Sequence, residues 1–117
     1  MGALGLARGI EAVYAGRGDS AELVDLLRSA TVLCPLVDGE PLVAELGSIQ
    51  WIYAFTDEAA LARFAVARGD GDREWDFARI EGDLLLDVAV PALDGPGGVA
   101  VNVGSPAPMS FPSVVTR

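Results

Sequence analysis

Apolar residues in the first part of the chain recur at helical spacing. The first stripe predicts a helix over residues 3–15. The members of this stripe are Leu6, Ile10, Val13 and Tyr14. We expect a second, shorter helix after Asp19 or Ser20, because either side chain can cap a helix amino terminus. The buried face of that helix comprises Leu23, Leu26 and Leu27.

After the second helix the pattern changes to short runs that are typical of strands. Residues 31–37 alternate, and Pro35, which lacks an N–H donor, favours an edge position for this strand. The Asp-Gly dipeptide that follows predicts a two-residue hairpin turn leading to a strand over residues 41–46. Residues 49–55 are apolar at nearly every position, which predicts a central strand covered on both faces.

The second half of the chain alternates helices with strands. The predicted elements are a helix over residues 57–68 capped by Thr56, a strand over 75–80, a helix over 83–89, a strand over 99–103 and an extended or edge strand over 109–115. The order α-α-β-β-β-α-β-α-β-β predicts an α+β (mixed α/β) fold, with a mixed sheet of about five strands and helices packed on at least one face. A length of 117 residues fits one domain, residues 1–117.

The charge of the chain limits its partners. Seventeen acidic and eight basic residues give a net charge of −9, and the eight arginines are scattered. Nucleic-acid binding needs clustered positive charge, and an acidic molecule is repelled by anionic membranes, so we expect neither partner. We find no convincing targeting segment and no apolar stretch near the ~20 residues that span a bilayer, and therefore expect a cytoplasmic protein.

The residue types that commonly perform catalysis are scarce. Histidine is absent, which removes the commonest general base and metal ligand. The single cysteine, Cys34, has no nearby cation in the sequence to activate its thiol. Asp70, Asp72, Glu74 and Asp76 alternate but lack the spacing of a calcium loop. We therefore expect no catalytic residues, metal or cofactor, and keep a carboxylate-only enzyme as the third hypothesis.

A hydrophobic content of 51% indicates that some apolar surface lies in an interface or groove. Trp51 is assigned to the core. Asn102 interrupts an apolar strand, where it either bonds the turn at Gly104-Ser105 or anchors a ligand. The candidate interaction surface comprises Trp75, Asn102, Met109 and Phe111. The leading hypothesis is a non-catalytic module for binding a protein partner or for self-association; the alternative is a small-molecule site with a groove near Asn102 and Phe111.

Three stretches carry a resemblance to a known family. They are CPLVDGEPLV (34–43), IYAFTDEAAL (52–61) and LLLDVAVPALDGPGGVAVNVGSPAPMSFP (84–112). In this order they resemble a hairpin, a hydrophobic strand with the following helix start, and the closing block of the SseB N-terminal-domain family. The resemblance implies a bacterial protein from a largely uncharacterised family. It carries no catalytic residues over to this sequence, so it assigns no role to any position.

Overall fold

A computed structural model describes residues 2–69 and 75–112 of the chain. The helices are α1 (Leu4–Tyr14), α2 (Ser20–Ser29), α3 (Glu58–Ala67) and the single turn α4 (Gly82–Leu84), which continues as a π-helical segment (Leu85–Ala89). The strands are β1 (Thr31–Val37), β2 (Glu40–Pro41), β3 (Val43–Leu46), β4 (Ile49–Ala54), β5 (Phe77–Glu81), β6 (Gly97–Val101) and β7 (Met109–Pro112). The predicted α+β class is confirmed.

The described strands form two neighbouring sheets rather than one sheet of about five strands. Strand order is β2-β1-β5 in the first sheet and β3-β4-β6-β7 in the second. Strands β4 and β6 are parallel and the other pairs are antiparallel, so the second sheet is mixed. An isolated antiparallel bridge between Leu33 and Phe55 joins the sheets, with both N–H to carbonyl distances at 2.8 Å. In the second sheet, the carboxyl ends of the parallel strands β4 and β6 therefore lie side by side.

Strand β1 lies between β2 and β5, so the edge position predicted from Pro35 is wrong. The chain crosses between the two sheets at Leu42. The Leu42 N–H donates to the Pro35 carbonyl at 2.9 Å, and the Leu42 carbonyl accepts from the Tyr53 N–H at 3.2 Å. Pro35 has no N–H to offer the Leu42 carbonyl, but the Tyr53 N–H takes its place. The Leu42 carbonyl is therefore satisfied although a proline lies inside the sheet.

Helices lie on both sides of the strands. The first core lies between one face and α1, α2 and the π-helical segment; its members include Leu6, Ile10, Leu27, Val32, Ile52, Leu85, Val99 and Phe111. The second core lies between the opposite face and α3; its buried members are Leu33, Phe55, Ala60, Leu61 and Phe64. Helix α3 therefore stands alone on its side of the sheets among the described helices.

Local signals at the turns and helix starts are confirmed in two cases and wrong in one. Asp38 has a φ of 55° and is followed by a glycine with a φ of 83°, as the predicted hairpin requires. Asp19 caps α2 by accepting from the backbone N–H of residue 21 at 2.9 Å. The cap of α3 is Asp57 instead of Thr56, because the Asp57 carboxylate accepts from the Ala60 N–H at 2.8 Å.

Other boundaries move by a few residues. The strand predicted from Trp75 begins at Phe77. The predicted helix over 83–89 is π-helical from Leu85, because the Val90 N–H donates to the Leu85 carbonyl five residues earlier, at 2.9 Å. The predicted tail strand is the edge strand β7. Residues 113–115 of the predicted tail strand lie outside the described residues. Asp70, Asp72 and Glu74 of the alternating acidic segment also lie outside them.

Candidate functional site

The structure does not assemble the four predicted interaction residues into one surface. Phe111 is only 6% exposed, so the prediction that it is a surface residue is wrong. It lies opposite Val99 in the ladder of β6 and β7, on the face that packs against the first core. Met109, opposite Val101, is half-buried against the same core.

Trp75 packs against α3. Its ring centroid lies 6.2 Å from that of Phe64, and the Arg68 guanidinium carbon lies 5.6 Å from the Trp75 ring centroid. The same guanidinium lies 5.3 Å from the Phe64 ring. The half-buried indole therefore extends the aromatic packing of the second core.

Asn102 joins the ends of two parallel strands. Its φ is 59°, and its backbone N–H donates to the Ala54 carbonyl at 2.9 Å. Its Oδ1 accepts from the Thr56 N–H at 3.0 Å, and its Nδ2 donates to the Thr56 Oγ1 at 3.1 Å. The side chain therefore bonds Thr56 and not the turn at Gly104-Ser105 that we predicted, although the Asn102 carbonyl accepts from the Ser105 N–H at 3.1 Å.

A cavity of about 350 Å³ opens beside this contact. We call it the Asn102 groove; its polar lining comprises Glu11 of α1, Thr56 and Asp57 just before α3, Arg63 in the middle of α3, Asn102 and Ser105. The Tyr14 hydroxyl donates to the Pro108 carbonyl and ties α1 to the segment that follows Asn102. Phe111 is not among the lining residues, so the predicted groove is present near Asn102 only.

Sequence analysis missed a second candidate surface on the four-stranded sheet. We call it the open face; the ladder places on it Ala44, Leu46, Ile49, Trp51, Gly98, Ala100, Ser110 and Pro112, of which Gly98 and Ala100 are buried. None of these eight residues is charged, in a chain with 21% charged residues. Leu46 is 67% exposed, and Trp51 is only partly buried on the side away from the first core. Trp51 is therefore not the core residue that we predicted.

Close packing of Trp51 on β6 depends on a glycine. A Cβ atom added at Gly98 would lie 2.7 Å from the Trp51 ring and 2.5 Å from the Phe111 carbonyl oxygen. The missing side chain lets the indole lie directly against the β6 backbone. The alternation of side chains along β4 was a signal for this surface. Successive residues point to opposite faces, so Ile49 and Trp51 lie on the face opposite that of Ile52, which is buried in the first core.

Comparison with known proteins identifies the family. Residues 6–114 match the model described as the SseB protein N-terminal domain. The chain belongs to the SseB N-terminal domain family. This confirms the resemblance seen in the sequence. No curated protein and no solved structure gives a significant match.

The open face and the Asn102 groove both lie within the matched region of this SseB domain. Within the described part of the chain, no helix is long and apolar enough to cross a membrane. That part also holds no group of three or more side chains suited to bind a metal ion.

Nucleophilic chemistry is disfavoured at the thiol of this SseB domain. Cys34 is fully buried in β1, and burial raises the pKa of its thiol to about 12. Because the thiolate is the reactive form, this cysteine stays protonated and inert near neutral pH. Asp87, outside the groove, binds the Arg28 guanidinium at 2.8 Å, and this hydrogen bond and charge raise the pKa of Arg28.

Proposed function

We propose that this domain is a non-catalytic protein-interaction module that uses the open face as its contact surface. The supporting observation is the concentration of uncharged, partly exposed residues around Leu46 and Trp51 in a chain of net charge −9. Contiguous apolar surface on a soluble domain is typical of interaction sites, and tryptophan is enriched among residues that dominate binding energy.

The partner chemistry follows from the same residues. Helix α3 covers one end of this sheet face, where the Phe64 and Tyr53 rings meet at 5.3 Å between centroids. Ile49 and Trp51, toward the amino end of β4, are left partly exposed. A charged partner group placed here would lose water without gaining an opposite charge. We therefore propose an apolar, uncharged partner surface.

Photocrosslinking tests this proposal. A photoreactive amino acid replaces Leu46 on the open face or, as a matched control, Val66 on α3, which is 66% exposed against 67% for Leu46. In the native host, we expect a discrete adduct from position 46 and none from position 66. Mass spectrometry of the adduct identifies the crosslinked polypeptide and the surface that it presents.

Titration with the purified partner then distinguishes specific binding from nonspecific crosslinking. The identified polypeptide is purified and titrated against the wild type, Leu46→Glu and Val66→Glu. We expect Leu46→Glu to weaken binding by about tenfold or more, equivalent to about 1.4 kcal/mol, because it buries an unpaired carboxylate. Val66→Glu leaves binding unchanged. Equal affinities for all three proteins, or no position-specific adduct, would contradict the proposal.

The proposal extends to the compartment and to the excluded partner classes. We place the domain in the cytoplasm, which is consistent with a single reduced cysteine buried in the core. The net charge of −9 supports the exclusion of nucleic acid and anionic membranes as partners. The lack of histidine and the inert thiol support a non-catalytic role.

The Asn102 groove supports a second candidate function, the binding of a small polar molecule. It lies beyond the carboxyl ends of the parallel strands β4 and β6, a common position for ligand sites in sheets with parallel strands. Arg63 and Asp57 offer opposite charges at its rim. A metabolite panel in thermal-shift assays tests it. A ligand whose stabilisation is lost in Arg63→Ala but kept in Val66→Ala supports the site, and no stabilising ligand contradicts it.

A further inference from the structure

We infer that the free edge of β3 binds an extended basic peptide as an added strand. This inference deepens the proposed function and rests on it, because it names the partner of the strand that carries Leu46. β3 is the outermost strand of the four-stranded sheet, so one side pairs with β4 and the other has no neighbouring strand among the described residues. Such an edge offers its backbone donors and acceptors to a partner chain.

The register shows which backbone groups of β3 are free. Leu42 directs its N–H and its carbonyl toward the neighbouring strands, where both are bonded. Backbone groups alternate in direction along a strand, so those of Ala44 point to β4, and those of Val43 and Glu45 point away from it. Within residues 2–69 and 75–112, the N–H and carbonyl groups of Val43 and Glu45 have no partner. These two donors and two acceptors match one side of an extended peptide.

The other edge strands carry features that oppose the addition of a basic strand, and β3 lacks them. Pro41 in β2 and Pro112 in β7 each remove an N–H donor from an edge. β5 carries charges of both signs, Arg79 and Glu81, so its edge does not select the charge of a peptide. β3 contains neither a proline nor a basic residue, and its Val43 is 37% exposed.

The charge around this edge selects a basic peptide. The two hairpins that meet here carry Asp38, Glu40 and Glu45, and residues 29–62 contain no lysine or arginine. In the described part of the chain, none of these three carboxylates forms an ion pair. A lysine or arginine opposite Glu45 supplies the missing opposite charge across the strands, whereas an acidic peptide is repelled.

The alternation of side chains then specifies the pattern of the peptide. A peptide residue opposite Glu45 points to the same face as Glu45, and its neighbours point to the open face beside Ala44 and Leu46. Because the open face is uncharged, those neighbours should be apolar. The expected ligand therefore alternates apolar and basic residues over about five positions, the span of a short strand. The peptide acetyl-Val-Lys-Val-Lys-Val-amide has this pattern.

Titration of the isotope-labelled protein with this peptide, followed by nuclear magnetic resonance, tests the inference. We expect saturable binding with slower hydrogen exchange at the N–H groups of Val43 and Glu45. Exchange at Ala44 should change little, because its N–H is already bonded within the sheet. The same peptide with glutamate in place of lysine should bind at least about tenfold more weakly. Absence of binding, equal binding of the two peptides, or protection confined to residues outside β3 would overturn the inference.

Methylation of the peptide backbone distinguishes strand addition from nonspecific charge attraction. An added strand uses every second N–H of the peptide, so methylating the two lysine nitrogens and methylating two valine nitrogens should differ in effect. We expect one methylated peptide to lose binding and the other to retain it. Equal effects of the two methylations would overturn the inference.

A substitution in β3 tests the same hydrogen bonds from the side of the protein. Val43→Pro removes the N–H that faces the peptide but no N–H that faces β4. It should weaken binding about fivefold, the net effect of one hydrogen bond. Val43→Ala keeps the N–H and should bind as the wild type does. Circular dichroism verifies that both variants fold, and equal binding by two folded variants would overturn the inference.

The outcomes also separate this inference from the proposed function. A discrete adduct from position 46 without binding of the basic peptide overturns the added strand but leaves the interaction module supported. Peptide binding at Val43 and Glu45 together with that adduct supports both. Absence of peptide binding together with absence of any adduct from position 46 overturns both.

Discussion

Asn102 and Thr56 hold together the carboxyl ends of two parallel strands through their own side chains. The Asn102 amide accepts from the Thr56 N–H at 3.0 Å and donates to the Thr56 hydroxyl at 3.1 Å. Thr56 directly precedes Asp57, the cap of α3. One asparagine thus fixes the end of β6, the start of α3 and one wall of the groove between them.

Replacement of Asn102 by alanine should destabilise the fold. Alanine adopts the φ of 59° less readily than asparagine, and it leaves the half-buried Thr56 N–H without its acceptor. We expect a loss of about 1–3 kcal/mol in the free energy of unfolding, measured by urea denaturation.

Asn102→Gly separates the two causes, since glycine accepts the backbone conformation but makes no side-chain bond. It should lie between the wild type and Asn102→Ala. Equal stability of wild type and Asn102→Ala would show that the contact with Thr56 is dispensable.

Gly82 lies close against the backbone of α2. A Cβ atom added there would lie 1.7 Å from the Leu27 carbonyl oxygen, which is backbone and cannot move aside easily. Gly82→Ala should lower the free energy of unfolding by about 3 kcal/mol or prevent folding. Gly95→Ala is the control, because nothing lies within 4 Å of its added Cβ atom. Matching urea midpoints for the two variants would contradict this packing.

Cys34 gives the fold a pH dependence at alkaline pH. The thiol has an ordinary pKa of 9.0 but a pKa of about 12 in the folded protein, because burial penalises the thiolate. The unfolded chain therefore loses this proton first, and stability falls as pH rises from about 9 toward 12, by about 1.4 kcal/mol per pH unit. Below pH 9 the thiol is protonated in both the folded and the unfolded chain, so its full contribution to the free energy of unfolding is retained.

The variant Cys34→Ala isolates this effect, because it differs from the wild type only in lacking the thiol. Urea unfolding at several pH values above 9 should give the wild type a steeper decline than the variant. Native thiol labelling should be slow and should accelerate in denaturant. Parallel declines with pH would show that the thiol ionises equally in both states.

Much of the fold could be predicted because its signals are local. The hairpin at Asp38 needs only two residues that tolerate a positive φ, and the cap at Asp19 acts within two residues. The position of β1 could not be predicted, because the tolerance of Pro35 depends on a distant contact. The Leu42 carbonyl beside Pro35 accepts from the N–H of Tyr53, which is remote in the sequence. The cap of α3 was misplaced by one residue for a similar reason, since Thr56 bonds Asn102 across the sheet.

The candidate site was harder to predict because it depends on which strands pair. Asn102 was identified from its place in an apolar strand, but its partner is 46 residues away in the chain. Phe111 and Trp51 were each assigned to the wrong environment. The ladder places Phe111 opposite Val99 on the core side, and Trp51 beside Gly98 on the other side. Neither pairing is visible in the sequence alone.

The accessibility of Trp51 tests the contact role of the open face most directly. In a Trp75→Phe background, Trp51 is the single tryptophan, and acrylamide quenching reports its exposure. We expect quenching to fall when the partner identified by photocrosslinking is added, and to stay constant when Leu46→Glu is also present. If quenching of Trp51 stays constant in the Trp75→Phe protein as well as in the variant that also carries Leu46→Glu, the account is contradicted.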